Sequence, residues 1–335
     1  MEKPSLDTAK AGAIRFNSDS SQMEIYDGNQ WTGILATSPE QQTGGTRGVY
    51  GGGSRPSPST RNVVDFANLD STGNFTDFGD LIQARSQLGG TASRSRGLFI
   101  GGFFNPSTRN EIDFITIAST GTVTDFGNIT QSRTGCASVS NGTRAVTMGG
   151  ATPSKVDTID YVTIAQTGNS VDFGNLTESK RVEAQSQSQT RGLAMGGNDG
   201  SEVKEVDYIT ISTLGNASDF GDLSEELGYN AGCSNSVRAL SFGGDTGPSS
   251  TIAIQFFTIA TLGNSIDFGD MITAKQHLSA ISSPTRALAA GGNTPSYVDV
   301  AEYVQIASTG NSIDFGDMTV AKSEMGQVSN GHGGL

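Results

Sequence analysis

The sequence predicts an all-β chain made of six similar small sheets, and three recurrences in its 335 residues predict it. An Arg followed by a small residue stands at Arg47, Arg96, Arg144, Arg191, Arg238 and Arg286. Five residues later comes a Gly pair, at Gly52-Gly53, Gly101-Gly102, Gly149-Gly150, Gly196-Gly197, Gly243-Gly244 and Gly291-Gly292. Each unit closes on Asp-Phe-Gly, with its aromatic at Phe78, Phe126, Phe173, Phe220, Phe268 and Phe315. A period of roughly 47 residues falls among those of solenoids, propellers and arrays. Helical periodicity is absent, and four short strands per unit match the composition of a propeller blade. The expected fold is a six-bladed β-propeller.

The chain begins outside the repeat. Ile14 and Phe16 alternate with polar residues, Asn17 to Ser21 make a turn, Glu24 to Tyr26 form a second strand, and Asp27-Gly28 turns again before Trp31. This reads as a β-hairpin carrying the chain's one Trp. An isolated hairpin is marginal in water, so Phe16, Ile25, Tyr26 and Trp31 need another surface and are the candidate anchoring residues. The expected organisation is a hairpin module over 1–36, a Ser/Pro/Gln/Gly linker over 37–45 and the repeat domain over 46–335.

Within each unit, an apolar strand such as Val146-Thr147-Met148 runs into the Gly pair. A second run, Asp160 to Ala165 in the third unit, alternates β-branched or aromatic residues with polar ones and suits a half-buried pleated surface. Turn signals such as Thr167-Gly168-Asn169 tolerate positive φ and predict a fold-back onto the Asp-Phe-Gly strand. A linker then passes Arg85, Arg133, Lys180, Leu227, Lys275 or Lys322 into Ser/Ala/Gly-rich runs, small enough to crowd around an axis. The residues before Arg47 make a poor strand, whereas Lys322 to Asn330 is an inner-strand sequence with no unit after it. It is therefore expected to complete the first sheet, which removes an exposed edge.

Composition narrows the function. A net charge of −13 argues against nucleic-acid binding, which needs clustered Lys and Arg. No apolar run approaches the length of a membrane span, so no membrane insertion is expected. Cys136 and Cys233 fall in alternate units and are expected as separate buried thiols. Asp-Phe-Gly recurs six times with no phosphate loop beside it, which makes it structural, its Asp bonding turn backbone. With His277 in the sixth inner strand and His332 in the tail as the chain's two histidines, no metal or other cofactor is expected. Glu178, Glu183, Glu202, Glu205, Glu225 and Glu226 lie outside the repeat and read as a solvated acidic rim.

The Gly pair ending a strand, the acid-aromatic pairs Asp65-Phe66, Asp113-Phe114, Asp160-Tyr161, Asp207-Tyr208 and Glu302-Tyr303, and the basic residue before the inner strand resemble the Kelch-type β-propellers over residues 46–331. The chain departs from that pattern in having Phe where a late Trp is usual and Gln255-Phe256 in the fifth unit. The segment Gly12-Ala13-Ile14-Arg15-Phe16-Asn17 through Tyr26-Asp27-Gly28-Asn29-Gln30-Trp31 resembles one frequent near the start of tail-fibre and other appendage proteins of tailed bacteriophages, marine phages in particular. That resemblance implies a non-enzymatic virion protein, made in the host cytoplasm, whose first 36 residues dock to other virion proteins or sister chains as a homo-oligomer.

Variation after the Gly pairs marks the candidate binding loops, with Arg55, Phe103, Phe104, Arg109, Lys155, Lys204 and Tyr297 as candidate contacts for a host glycan or receptor. A tail-fibre or baseplate appendage, a capsid decoration protein and a polysaccharide-acting enzyme stay open, and the low content of unrepeated acids and His favours the binder.

Overall fold

Glycine punctuation and period-two alternation leave the chain no helix among the described residues, which in this computed structural model are 10–17, 22–33, 46–55, 60–121 and 123–335. The linker expected over 37–45 lies outside them. The chain divides into two compact units, Met1–Thr43 and Gly44–Leu335.

The first unit is a three-stranded antiparallel sheet, Ile14–Asn17, Gln22–Tyr26 and Trp31–Gly33, rather than the expected hairpin. Asp27 makes the extra strand: its Oδ1 accepts from the backbone N–H of Asn29 (2.7 Å) and Gln30 (2.8 Å), which reverses the chain into Trp31. The Gln30 and Asn29 donors also hold the Asp27 carboxyl below its ordinary range.

The second unit contains six four-stranded antiparallel sheets. In the third, Ala137–Ser140, Arg144–Met148, Thr158–Thr163 and Val171–Asn175 lie in that order. In the first, Gly326–Ser329 pairs with Arg47–Gly51, placing Gly326 opposite Gly51 and Val328 opposite Val49. The inner strands Gly89–Ala92, Ala137–Ser140, Ala184–Gln187, Ala231–Ser234, Ser279–Ser282 and Gly326–Ser329 each touch the next, and the last touches the first. All of their residues are buried, which explains the small side chains. A Cβ on Gly232 would lie 2.6 Å from the Gln185 carbonyl oxygen. Serines bridge the crowded backbones: Ser186 Oγ donates to the Cys233 carbonyl (2.9 Å), Ser234 Oγ to that of Gln187 (2.7 Å) and Ser282 Oγ to that of Ser234 (2.7 Å). Cys136 and Cys233 are free and buried.

The third strand of each sheet is displaced from its expected place. In the third unit it runs Thr158–Thr163, two residues ahead of Asp160 to Ala165. The register jumps there, Ile159 facing Gly174 and Asp160 facing Asp172, so that Phe173 is the extra residue of a bulge. The bulge turns Phe173 inward, edge-on to Tyr161 at 6.0 Å and 77°. Equivalent aromatic pairs occur in the other five sheets.

Apolar burial is shared between neighbours. Val49, Val64 and Phe78 of the first sheet pack with Leu88, Phe99 and Ile115 of the second, and five similar clusters join the remaining adjacent pairs, the sixth and first included. Polar contacts repeat the pattern. Buried ion pairs reach from one unit into the next: Arg85 to Asp113, Arg133 to Asp160, Lys180 to Asp207 (3.2 Å), Lys275 to Glu302 and Lys322 to Asp65 (2.8 Å). Burial opposes these charges, holding Lys322 below the ordinary ammonium range while Asp65 pulls it up. Where the pair is missing, both members are neutral: Leu227 replaces the cation, and Gln255 accepts from Ser224 N–H (2.8 Å) and Ser265 Oγ (2.7 Å) instead.

The Arg that opens each unit caps its aromatic partner, from 4.4 Å for Arg47 over Phe66 to 5.0 Å for Arg191 over Tyr208. Its Nη1 donates to a carbonyl of the following sheet, as Arg47 does to Ile117 (2.8 Å) and Arg286 to Leu69 (3.0 Å). The Thr-Gly-Asn turns clasp the preceding sheet: Gly168 N–H donates to the Phe126 carbonyl (2.8 Å), and Asn169 Oδ1 accepts from Asn128 N–H (3.0 Å). Asn therefore does the backbone capping expected of the repeated Asp. That Asp is exposed in all six sheets, and its one bond to backbone among the described residues, Asp219 Oδ1 accepting from Gly221 N–H at 3.2 Å, lies within its own strand Ser218–Asp222 rather than in a turn.

Candidate ligand-binding site

Each inner strand is preceded, two residues earlier, by Gln87, Gly135, Val182, Tyr229, His277 or Glu324. The backbones of these residues are joined across sheets: Gly135 N–H donates to Gln87 (3.0 Å), Gln87 to Glu324 (2.8 Å), Glu324 to His277 (2.9 Å), His277 to Tyr229 (2.9 Å) and Val182 to Gly135 (3.1 Å). To make these bonds, Gln87, Tyr229, His277 and Glu324 adopt φ of 56°, 53°, 57° and 57°, and Gly135 one of 63°. A side chain in that region costs about 1–2 kcal/mol, so glycine is the expected occupant. Glycine is used where there is no room: a Cβ at Gly135 would lie 2.6 Å from Arg181 Nε. At the other four positions the chain keeps a functional group despite the strain.

The side chains form a continuous polar chain. Thr134 Oγ1 donates to Gln87 Oε1 (2.6 Å), and Gln87 Nε2 donates to Glu324 Oε1 (2.8 Å). His277 Nδ1 lies 3.3 Å from that same oxygen, and the His277 ring stacks on Tyr229 at 4.1 Å. Arg181 covers Tyr229 at 5.5 Å and pairs with Glu183 at 2.8 Å. Burial pushes the Glu324 carboxyl up against the pull of His277, and Glu183 adds to the rise. Burial likewise raises the Tyr229 hydroxyl, with Arg181 opposing it. For Arg181, burial works against the charge, but Glu183 and Tyr229 outweigh it and hold its pKa above the ordinary value.

The variable loops rise at this same end. The first residue of each bridges to the backbone just before its inner strand, as in Phe103 with Ser86, Ala151 with Thr134 and Asn198 with Arg181. Between the loops of the second, third and fourth units lies an open cleft of about 980 Å³, lined by Gln87, Phe103, Thr134, Lys155, Arg181, Asn198 and Tyr229 among others. At the inner strands a narrow crevice of about 20 Å³ remains, bordered by Gln185, Gln187, Gln327 and His332 together with Ile281 and Val328. It has room for roughly one water molecule.

Of the loop residues predicted from sequence, Phe103 and Lys155 line the cleft. Phe104 sits beside Phe103 in a short hairpin and is exposed. The others are engaged elsewhere: Arg109 by Glu111 (2.5 Å) and Gln83 (2.7 Å), Lys204 by Asp222 (3.3 Å), and Tyr297 with its hydroxyl 3.4 Å from Ser54 Oγ. Arg55 is half-buried and has a partner within the chain. In the N-terminal unit, Tyr26 and Trp31 face each other across strands at 5.4 Å, with Arg15 over the indole at 4.1 Å. Ile25 pairs in register with Ile14, and both side chains are exposed. The Phe16 side chain lies outside the described residues.

Sequence reasoning assigned Glu183 to a solvated rim, whereas it is mostly buried against Arg181. Glu178, Glu205 and Glu226 are exposed. Gln87, Thr134, Arg181, Tyr229 and Glu324 were not singled out, because each lies in a linker with no repeated signature; the aligned position before the inner strand was the available signal. His277, placed in the sixth inner strand from sequence, precedes that strand. Among the described residues no three His, Cys, Asp or Glu side chains gather to hold a metal ion. No protein-family model and no curated protein matches this chain.

Proposed function

We propose that the chain is a non-enzymatic virion protein of a tailed bacteriophage. In this reading Gly44–Leu335 is a six-bladed Kelch-like β-propeller closed by its C-terminal strand. The N-terminal sheet docks it to the particle or to sister chains, and the propeller is displayed as a tail-fibre or baseplate appendage for host adsorption. Six sheets, each bonded to the next and the sixth to the first, support the architecture. The resemblance of residues 12–31 to appendage proteins supports the location.

One observation carries the recognition role. The repeated residues are consumed in contacts between sheets, while the unrepeated Gln87, Arg181, Tyr229, His277 and Glu324 gather at the end where the variable loops open a large cleft. A catalytic reading, a polysaccharide-acting enzyme using the His277–Glu324 contact, draws on the same cluster. It is the weaker one, since His277 is stacked on Tyr229 and Glu324 is bonded to Gln87, which leaves neither aimed alone at a substrate.

The test is deletion of residues 1–36 in an assembling system. The shortened chain is expected to keep the β circular dichroism and unfolding transition of the repeat domain and to be missing from purified particles. Occupancy equal to the full chain would overturn the docking role.

A further inference from the structure

We infer that the cleft beside the inner-strand mouth binds an acidic saccharide, a sugar chain bearing carboxylate or sulfate groups. The inference rests on the recognition role proposed above and names the ligand class of that same site.

Charge is the first argument. The chain carries −13 overall, yet the charged side chains lining the cleft among the described residues are two cations, Lys155 and Arg181. Lys155 differs from the other loop cations. Arg109, Arg181 and Lys204 are paired with Glu111, Glu183 and Asp222, whereas Lys155 has no ion-pair partner among the described residues. An unpaired ammonium in a cleft without lining carboxylates is placed to meet an anion.

The remaining lining sets the class of that anion. Gln87, Thr134 and Asn198 offer amide and hydroxyl groups, the chemistry that meets sugar hydroxyls, and Phe103 offers a partly exposed ring to an apolar sugar face. About 980 Å³ is at the upper end of the roughly 300–1,000 Å³ of ligand clefts, and the site is open, as a chain passing through it requires. A phosphopeptide or nucleic acid would need a denser basic surface than two cations.

Backbone strain is the independent observation. Gln87 and Tyr229, which line the cleft, and His277 and Glu324, which brace them, hold positive φ where glycine would relieve it. The side chains are retained at a cost to the fold, and the contacts they make are with one another and with the cleft residues Thr134 and Arg181. Tyr229 is clamped between His277 and Arg181, which fixes the guanidinium at the cleft wall.

The experiment is isothermal titration of the full chain with three probes: a hexuronate oligomer, a sulfated oligosaccharide of matched length, and the neutral carboxyl-reduced form of the first. At least one anionic oligomer is expected to bind about ten-fold or more tightly than the neutral one, and to weaken as salt is raised. Lys155→Ala is expected to weaken it by about ten-fold, with its unfolding transition unchanged, while Lys204→Ala changes it by less than about two-fold. Equal binding of the neutral oligomer, binding of neither anionic probe, or equal effects of the two substitutions would overturn the inference. Because the free chain is titrated, such a failure leaves the docking role of residues 1–36, read on particles, standing.

Discussion

Leu227 and Gln255 illustrate what a buried charge demands of its neighbour. Five units place a cation against an acid, both nearly free of solvent, and the remaining junction loses both charges together. Removing one partner strands the other in a low-dielectric interior, at about 3–5 kcal/mol, whereas replacing both by neutral groups is close to neutral. Arg133→Leu is therefore expected to lower stability in urea unfolding by about 3–5 kcal/mol, and Arg133→Leu with Asp160→Gln, which copies the natural exchange, to recover most of the loss. Recovery of less than about a third would contradict it. The exchange was half legible in sequence: Gln255 stood out as a departure and Leu227 among the basic residues, but the partners belong to different units and nothing local links them.

At the scale of the strand and turn, the repeat was read well and its edges less so. Alternation located the third strand but not the bulge at Phe173, because a bulge is set by the partner strand and the buried ion pair beside it. The Thr-Gly-Asn signal was correctly a turn, yet its hydrogen bonds go to the neighbouring sheet, a link that periodicity within one unit does not contain. The same link explains the last letter of Asp-Phe-Gly. A Cβ on Gly316, at φ 140°, would lie 2.6 Å from the Gly73 carbonyl oxygen, whereas one on Gly73, at φ 152°, would meet nothing. Both alanine variants carry backbone strain of about 1–3 kcal/mol. Gly316→Ala is expected to be the more destabilising of the two by thermal unfolding, since it alone also forces the sixth sheet away from the first; equal effects would deny that contact its weight.

For the molecule as a whole, the tail beyond Asn330 supplies a part that composition gave no reason to expect. His332 is buried: Nε2 donates to the Ala92 carbonyl (2.8 Å), Nδ1 accepts from Gly334 N–H (3.1 Å), and Gly333 N–H reaches the Ser234 carbonyl (2.8 Å). Burial holds its pKa down at about 4, against the upward pull of the Ala92 bond. An unfolded His binds its proton near pH 6.5, so between 6.5 and 4 the unfolded chain takes up a proton that the folded one refuses. This contribution is complete above pH 6.5, is lost as the pH falls towards 4, and changes no further below it; its span is on the order of 3 kcal/mol. His332→Gln is expected to flatten the fall in unfolding free energy between pH 6.5 and 4 relative to the native chain, and an unchanged slope would remove His332 as its cause. Sequence placed His332 in a tail of no assigned role, because what it plugs is assembled from Ala92, Ser140 and Ser234, which are far apart in the chain.

The pairing of Gly326–Ser329 with Arg47–Gly51 sets the order of events during synthesis. Arg47 N–H waits for Asn330 Oδ1, an acceptor 283 residues downstream, so the earliest-made strand of the repeat emerges from the ribosome with one flank bare. Until Gly326–Ser329 has been made, the growing chain carries that bare border, and pairing with this later strand seals it. A chain cut upstream of Gly326 therefore lacks the partner of Arg47–Gly51 and presents that edge to other chains, the arrangement that invites association.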